Sequence, residues 1–61
     1  MVKVYVNENE CLKQVDVVGN ADWALRQLCH NYGLTYDSVK TKDNKVEYYH
    51  KNKLQAVIET V

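Results

Sequence analysis

Residues 20–33 read NADWALRQLCHNYG, and this stretch decides the fold because it holds the one clear helical pattern of the chain. Its apolar residues recur at the three- and four-residue spacing that puts side chains on one face of an α-helix. That face comprises Ala21, Ala24, Leu25, Leu28, Cys29 and Tyr32. A helix with one apolar face has to cover another apolar surface, so we expect the rest of the chain to supply a sheet.

Both ends of this helix are marked in the sequence. Asn20 can accept a hydrogen bond from a free amide of the first turn, and Asp22 lies where the helix dipole favours a negative charge. Gly33 has no Cβ atom and can therefore adopt the left-handed conformation that ends many helices. The sequence predicts a helix between Asn20 and Gly33.

Alternating apolar and polar residues predict a β-hairpin before the helix. Val2, Val4 and Val6 share one side of a first strand, and a turn over residues 7–10 leads to a second strand over about residues 12–18. Strict alternation places Val15 and Val17 on the same side as the valines of the first strand. The opposite side then carries Tyr5, Leu12, Gln14, Asp16 and Val18.

Two polar tetrads predict a three-stranded meander after the helix. Residues 42–45 read KDNK and residues 50–53 read HKNK, and both are typical of tight turns. The strands would cover about residues 35–41, 45–49 and 53–60. The side chains expected toward the helix are Val46, Tyr48, Leu54, Ala56 and Ile58, and those expected away from it are Glu47, Tyr49, Gln55, Val57 and Glu59.

The first strand of this meander has an ambiguous pattern. Either Leu34, Tyr36 and Ser38 point toward the helix, or Thr35 and Val39 do, and we favour the first set.

The resulting order is ββαβββ, which predicts one α+β domain over residues 1–61. Its two layers would be one amphipathic helix and a five-stranded, mostly antiparallel sheet. The order is similar to that of the β-grasp fold of ubiquitin-like proteins, in which the first and last strands pair in parallel, so this arrangement is an alternative. The chain ends at Val61 without the glycine pair of ubiquitin-like carriers, and it has no cysteine cluster for an iron–sulfur centre.

Charge and composition exclude several broad classes of function. Eight basic and eight acidic residues cancel, so no overall field attracts nucleic acid or a membrane, and only local patches of charge could do so. No apolar run is long enough to span a bilayer. Cys11 and Cys29 are too few for a disulfide framework, and we expect two reduced thiols in a cytoplasmic protein.

No residue set predicts catalysis or a cofactor. Cys11, Cys29, His30 and His50 do not have the spacing of a tetrahedral metal site, so we expect no metal. Cys29 is expected in the core and His30 in solvent, which separates a thiol from the base that would activate it. We therefore expect a protein that is not an enzyme.

The predicted back of the helix is the first candidate binding surface. It carries Trp23, Arg26, Gln27 and His30, and tryptophan and arginine supply much of the binding energy at protein interfaces. The alternative is that Trp23 folds over the end of the helix into the core.

The second candidate surface is the sheet face away from the helix, with Tyr5 and Tyr49. It would bind a partner or a second copy of the chain as a homodimer, although ordinary cross-strand pairing also accounts for it.

These surfaces favour a small protein-interaction module, an inhibitor or adaptor of another protein, of the kind that phages and mobile elements often encode. The alternative is a single-stranded nucleic-acid binding protein that uses Lys3, Tyr5, Tyr49 and the turn lysines. Those lysines are Lys40, Lys42, Lys45, Lys51 and Lys53. An exposed edge strand near them could also recruit a partner strand, unless its charges serve to prevent that.

Overall fold

The computed structural model describes all residues from Met1 to Val61 and shows two layers, one helix and one sheet. The elements are β1 (Val2–Glu8), β2 (Cys11–Val18), α1 (Ala21–Asn31), β3 (Ser38–Lys42), β4 (Lys45–His50) and β5 (Lys53–Thr60). The strand order is β2-β1-β5-β4-β3. Every neighbouring pair is antiparallel, and the predicted α+β class is confirmed. The parallel pairing of first and last strands in the β-grasp alternative is not present.

All three hairpins close through two-residue turns. Asn9–Glu10, Asp43–Asn44 and Lys51–Asn52 connect the paired strands. Five of these six residues have positive φ, a conformation that asparagine and aspartate tolerate better than most residues. The two polar tetrads therefore form turns as predicted, and β1 continues two residues beyond its predicted end.

The helix begins and ends as the sequence predicts. The side-chain oxygen of Asn20 accepts a hydrogen bond of 2.8 Å from the Trp23 amide. Gly33 has φ of +62°, and the amides of Tyr32 and Leu34 both donate to the carbonyl oxygen of Leu28. These bonds satisfy polar groups that the ends of a helix otherwise leave free.

The core lies between α1 and the sheet face that it covers. Its buried side chains are Val2, Val4, Val18, Ala24, Leu28, Tyr48, Ala56 and Ile58. Val6, Val15, Leu25, Leu34 and Val46 pack against them. This core is small, because the chain buries only nine of its 61 residues.

The apolar stripe of the helix is only partly buried. Ala24 and Leu28 are fully enclosed and Leu25 packs beside them, whereas Ala21, Cys29 and Tyr32 are exposed. The expectation that Cys29 belongs to the core is wrong. A single helix on an open sheet has no neighbouring helix to cover the margins of its stripe, so the margins stay in solvent.

A β-bulge in β2 changes which side chains reach the core. Val4 pairs with Asp16 but Tyr5 pairs with Gln14, so one extra residue lies in β2 at this point. An extra residue reverses the alternation beyond it. Val18 is therefore 9% exposed and belongs to the core, whereas Val17 is 40% exposed, the opposite of the prediction for both residues.

A second bulge lies in β5. Tyr48 pairs with Ala56 while Tyr49 pairs with Leu54, which leaves Gln55 as the extra residue. Gln55 lines a recess together with Ala56 on the helix side, and Leu54 shares the side of Tyr49. The predicted directions of Leu54 and Gln55 are wrong for the same reason as in β2.

The chain after Gly33 forms a loop before it becomes a strand. Leu34 packs on the core, and the ring of Tyr36 meets that of Tyr48 edge-on at 5.0 Å, as the favoured pattern predicts. Ser38 pairs with Tyr49 and so faces away from the helix, contrary to that pattern. Val39 pairs with Tyr48 on the helix side.

Candidate functional site

The water-facing side of α1 carries a shallow groove of about 240 Å³. Its lining residues, which we call the helix groove, are Trp23, Arg26, Gln27, His30 and Asn31. All four helix residues expected to bind a partner therefore lie together. They do so because positions three, four and seven residues apart share one side of a helix.

Trp23 is the most unusual residue of this groove, because this large aromatic residue is 51% exposed. The alternative in which the indole folds into the core does not match this exposure. Its backbone is held by the Asn20 cap, and next to it Gln27 accepts a hydrogen bond from the side chain of Asn31. The indole therefore projects from a fixed backbone.

The groove offers recognition chemistry. Indole provides a broad apolar surface with one N–H donor, and the Arg26 guanidinium provides a planar set of donors. Gln27 and His30 add groups that can donate or accept. Such a set suits a protein surface that presents an apolar pocket beside carbonyl or carboxylate oxygens.

The sheet face away from α1, which we call the outer face, is organised by pairs of tyrosine and glutamate. The Tyr5 hydroxyl donates to Glu59 Oε1 at 3.1 Å, and the Tyr49 hydroxyl donates to Glu47 Oε1 at 3.3 Å. Lys40 Nζ lies 5.0 Å from the centre of the Tyr49 ring. Both tyrosines are half-buried and already hold polar partners within the chain.

These contacts shift the ionisation of both phenols. Loss of solvent raises the pKa of Tyr5 first, and the hydrogen bond and charge of Glu59 raise it further. Loss of solvent also raises the pKa of Tyr49, with the charge and hydrogen bond of Glu47 adding to the effect. The neutral phenol is thus the form that this face favours.

The outer face partly covers its own apolar residues. Val57 is only 3% exposed although no second layer lies over it. Its cross-strand neighbours are Tyr5 on one side and Glu47 on the other. Cross-strand side chains thus shield Val57. No partner is needed to exclude water from this residue.

The strand register also creates a row of lysines that the sequence does not reveal. Lys42 pairs with Lys45, Lys45 with Glu59, and Glu59 with Lys3, so one line crosses four strands of the outer face. Lys45 Nζ lies 3.9 Å from Glu59. Only the pairing of β1 with β5 brings Lys3 to the other two lysines, and this pairing is a long-range contact.

Three of the turn lysines are not part of that row. Lys40 lies beside it on the outer face, where it pairs with Glu47. Lys51 lies in the turn between β4 and β5, and Lys53 pairs with His50 beside it. This turn is at the other end of β4 from Lys45. The lysines proposed for nucleic-acid binding therefore divide into two groups.

The other chemically reactive side chains are dispersed. Cys11 and Cys29 are free and exposed. No three side chains among the histidines, cysteines, aspartates and glutamates gather where they could hold a metal ion. The single helix is too short to cross a membrane.

Comparison with known proteins gives no relative from which a role could be transferred. No protein family matches the chain, and neither the curated proteins nor the solved structures include a significant match.

Proposed function

We propose that this protein is a non-enzymatic interaction module that docks on another protein through the helix groove. The observation that carries the proposal is Trp23, which is 51% exposed on a capped helix. Exposing a large aromatic side chain forgoes the stabilisation that its burial would give. Burial of the indole in a partner recovers that stabilisation at the interface.

The helix groove is a better contact than the outer face. Tyr5 and Tyr49 already donate hydrogen bonds to glutamates of the same chain, and a partner would have to replace these bonds. Trp23 has no such partner to lose. The helix groove would therefore hold the partner, and the small domain would act by occlusion or by tethering, as an inhibitor or an adaptor.

The cysteines suit action in a reducing compartment, and we place this role in the cytoplasm. Cys11 and Cys29 are exposed and unbridged. Exposed free thiols persist where the redox conditions keep them reduced.

The decisive experiment compares two exposed aromatic residues, Trp23 in the first turn of α1 and Tyr32 directly after its last residue. Tagged wild-type protein, Trp23→Ala and Tyr32→Ala are used to capture partners from native lysate. Tyr32 is 49% exposed but lies outside the helix groove, so it is the matched control. We expect Trp23→Ala to lose the captured protein and Tyr32→Ala to keep it. Equal capture by wild type and Trp23→Ala would contradict the proposal.

The outer face supports a second candidate function, binding of single-stranded nucleic acid. The observation in its favour is the row that joins Lys3, Lys45 and Lys42 beside two tyrosine rings. Glu47 and Glu59 lie on the same face, and their negative charges disfavour the binding of phosphate groups.

Salt dependence separates the two functions. A nucleic-acid complex loses affinity steeply as salt rises from about 50 to about 200 mM, because released counterions drive binding. Lys3→Ala should flatten this dependence, whereas Lys51→Ala should not. If the protein does not bind a single-stranded oligonucleotide even at low salt, this second candidate function is rejected.

A further inference from the structure

The helix lies off-centre on its sheet and leaves one end uncovered. α1 packs against β2, β1 and β5, whereas every residue of β3 is exposed. Val39 points to the helix side of the sheet and is nevertheless 47% exposed. Only the loop through Tyr36 approaches this end, by its contact with Tyr48.

The two edges of the sheet differ in regularity. β2 contains the bulge at Val15, which twists an edge and hinders pairing with another strand. β3 has an unbroken register with β4 from Ser38 to Lys42. Alternate N–H and C=O groups of a regular edge strand point away from its neighbour and are free to pair. β3 is therefore the edge that can accept another strand.

The side chains of β3 define what such a strand must carry. Lys40 and Lys42 are on the outer face, where they pair with Glu47 and Lys45. Val39 and Thr41 are on the helix side. A strand added beside β3 would place its own side chains against lysines on one face and against Val39 on the other.

We propose that the β3 edge binds an extended acidic segment of a partner protein as a sixth strand. Acidic side chains at alternate positions would pair with Lys40 and Lys42, and the β-branched or apolar residues between them would pack beside Val39. Backbone hydrogen bonds supply affinity in this mode of recognition, and the alternating side chains supply specificity.

The same lysines disfavour a second copy of the chain at this edge. Antiparallel pairing of two β3 strands about a two-fold axis keeps both outer faces on one side. In the registers centred on Lys40 or Thr41, this places Lys40 opposite Lys40 or Lys42 of the other copy, and like charges in opposed positions destabilise a sheet. The lysines thus disfavour self-pairing in these two registers, whereas an acidic strand meets opposite charge.

A labelled peptide, acetyl-Glu-Val-Glu-Val-Glu-Val-Glu-amide, tests this proposal by fluorescence anisotropy and amide hydrogen exchange. We expect binding, together with slowed exchange at alternate amides of residues 38–42. The same peptide with alternate backbone nitrogens methylated should not bind, because it lacks the donors that face β3.

Lys42→Glu provides the test within the protein. Its cross-strand neighbour is Lys45, so the new charge pair does not threaten the fold. We expect Lys42→Glu to weaken peptide binding by about tenfold or more. Lys53→Glu makes the same charge change outside β3 and should leave affinity within about twofold.

Three results would overturn the proposal: no binding at about 1 mM peptide, equal binding by the methylated peptide, or equal affinity for Lys42→Glu and wild type. Trp23→Ala should bind the peptide normally, because the helix groove lies outside β3. Failure at the β3 edge is thereby distinguished from failure at the helix groove.

Discussion

Trp23 and Leu28 belong to the same helix but lie in opposite environments. Leu28 is fully buried and Trp23 projects into solvent. We expect Leu28→Ala to lower the free energy of unfolding by about 2–5 kcal/mol, because it leaves a cavity. Trp23→Ala should change it by less than about 1 kcal/mol. Urea unfolding followed by circular dichroism gives both values. A loss for Trp23→Ala as large as that for Leu28→Ala would mean that the indole supports the core.

The buried phenol of Tyr48 makes the stability of the fold depend on pH. Burial raises the pKa of its phenol above 10.0, and the nearby groups Tyr36, Cys29 and Asp22 raise it further. The folded protein therefore keeps this proton at a pH where the unfolded chain has released it. The stability that follows is fully present below pH 10 and is lost as pH rises through the folded pKa.

Absorbance at 295 nm measures this effect. We expect ionisation of phenols in the folded protein at higher pH than in urea, and Tyr48→Phe should remove part of the late rise. Coincident titration curves for the folded and unfolded protein would contradict the assigned cause.

At the scale of elements, the sequence predicts features that depend on neighbouring residues better than it predicts the register of paired strands. The helix, its Asn20 cap, its Gly33 end and the two polar turns depend on neighbours in the chain, and all could be predicted from the sequence. The helix groove could be predicted as a set for the same reason. The bulges at Val15 and Gln55 lie in hairpins of consecutive strands, but the apolar pattern does not mark which residue is the extra one, so strict alternation fails beyond them.

The bulge in β2 leads to a direct test. Val18→Ala should lower the free energy of unfolding by about 1–3 kcal/mol, because it removes buried methyl groups. Val17→Ala should cost less than about 0.5–1 kcal/mol, because Val17 is 40% exposed. The pair is measured under the same urea conditions. If Val17→Ala lowers the free energy of unfolding more than Val18→Ala does, the strand alternates without a bulge and the contrast described here is wrong.

The row of lysines on the outer face shows a second limit of sequence reasoning. Lys42 and Lys45 flank one turn, but Lys3 joins them only through two further strands. Strand order and register set this neighbourhood, and no local pattern encodes either of them.

At the scale of the whole molecule, the two proposed contacts occupy separate places. The helix groove lies on α1, over β2, β1 and β5, and the β3 edge lies at the uncovered end of the sheet. A domain with two separate contacts can hold two segments at once. This arrangement favours the role of adaptor over that of inhibitor.

The outer face bears on whether the chain pairs with itself. Tyr5 and Tyr49 already donate hydrogen bonds within the chain, and Val57 is already buried. We therefore expect a monomer at micromolar concentration. Sedimentation equilibrium gives the mass, and Tyr49→Glu should not change it. A wild-type dimer that Tyr49→Glu converts to a monomer would instead identify the outer face as a homodimer interface.

The antiparallel pairing of β1 with β5 brings the two termini together. The Val61 amide donates to the Met1 carbonyl oxygen at 3.1 Å. A few linking residues could therefore close the chain into a ring, and new ends could be opened at the Asn9–Glu10 turn. The domain could equally be grafted into a surface loop of a larger host, since both junctions would leave from one corner and neither would have to stretch across the sheet.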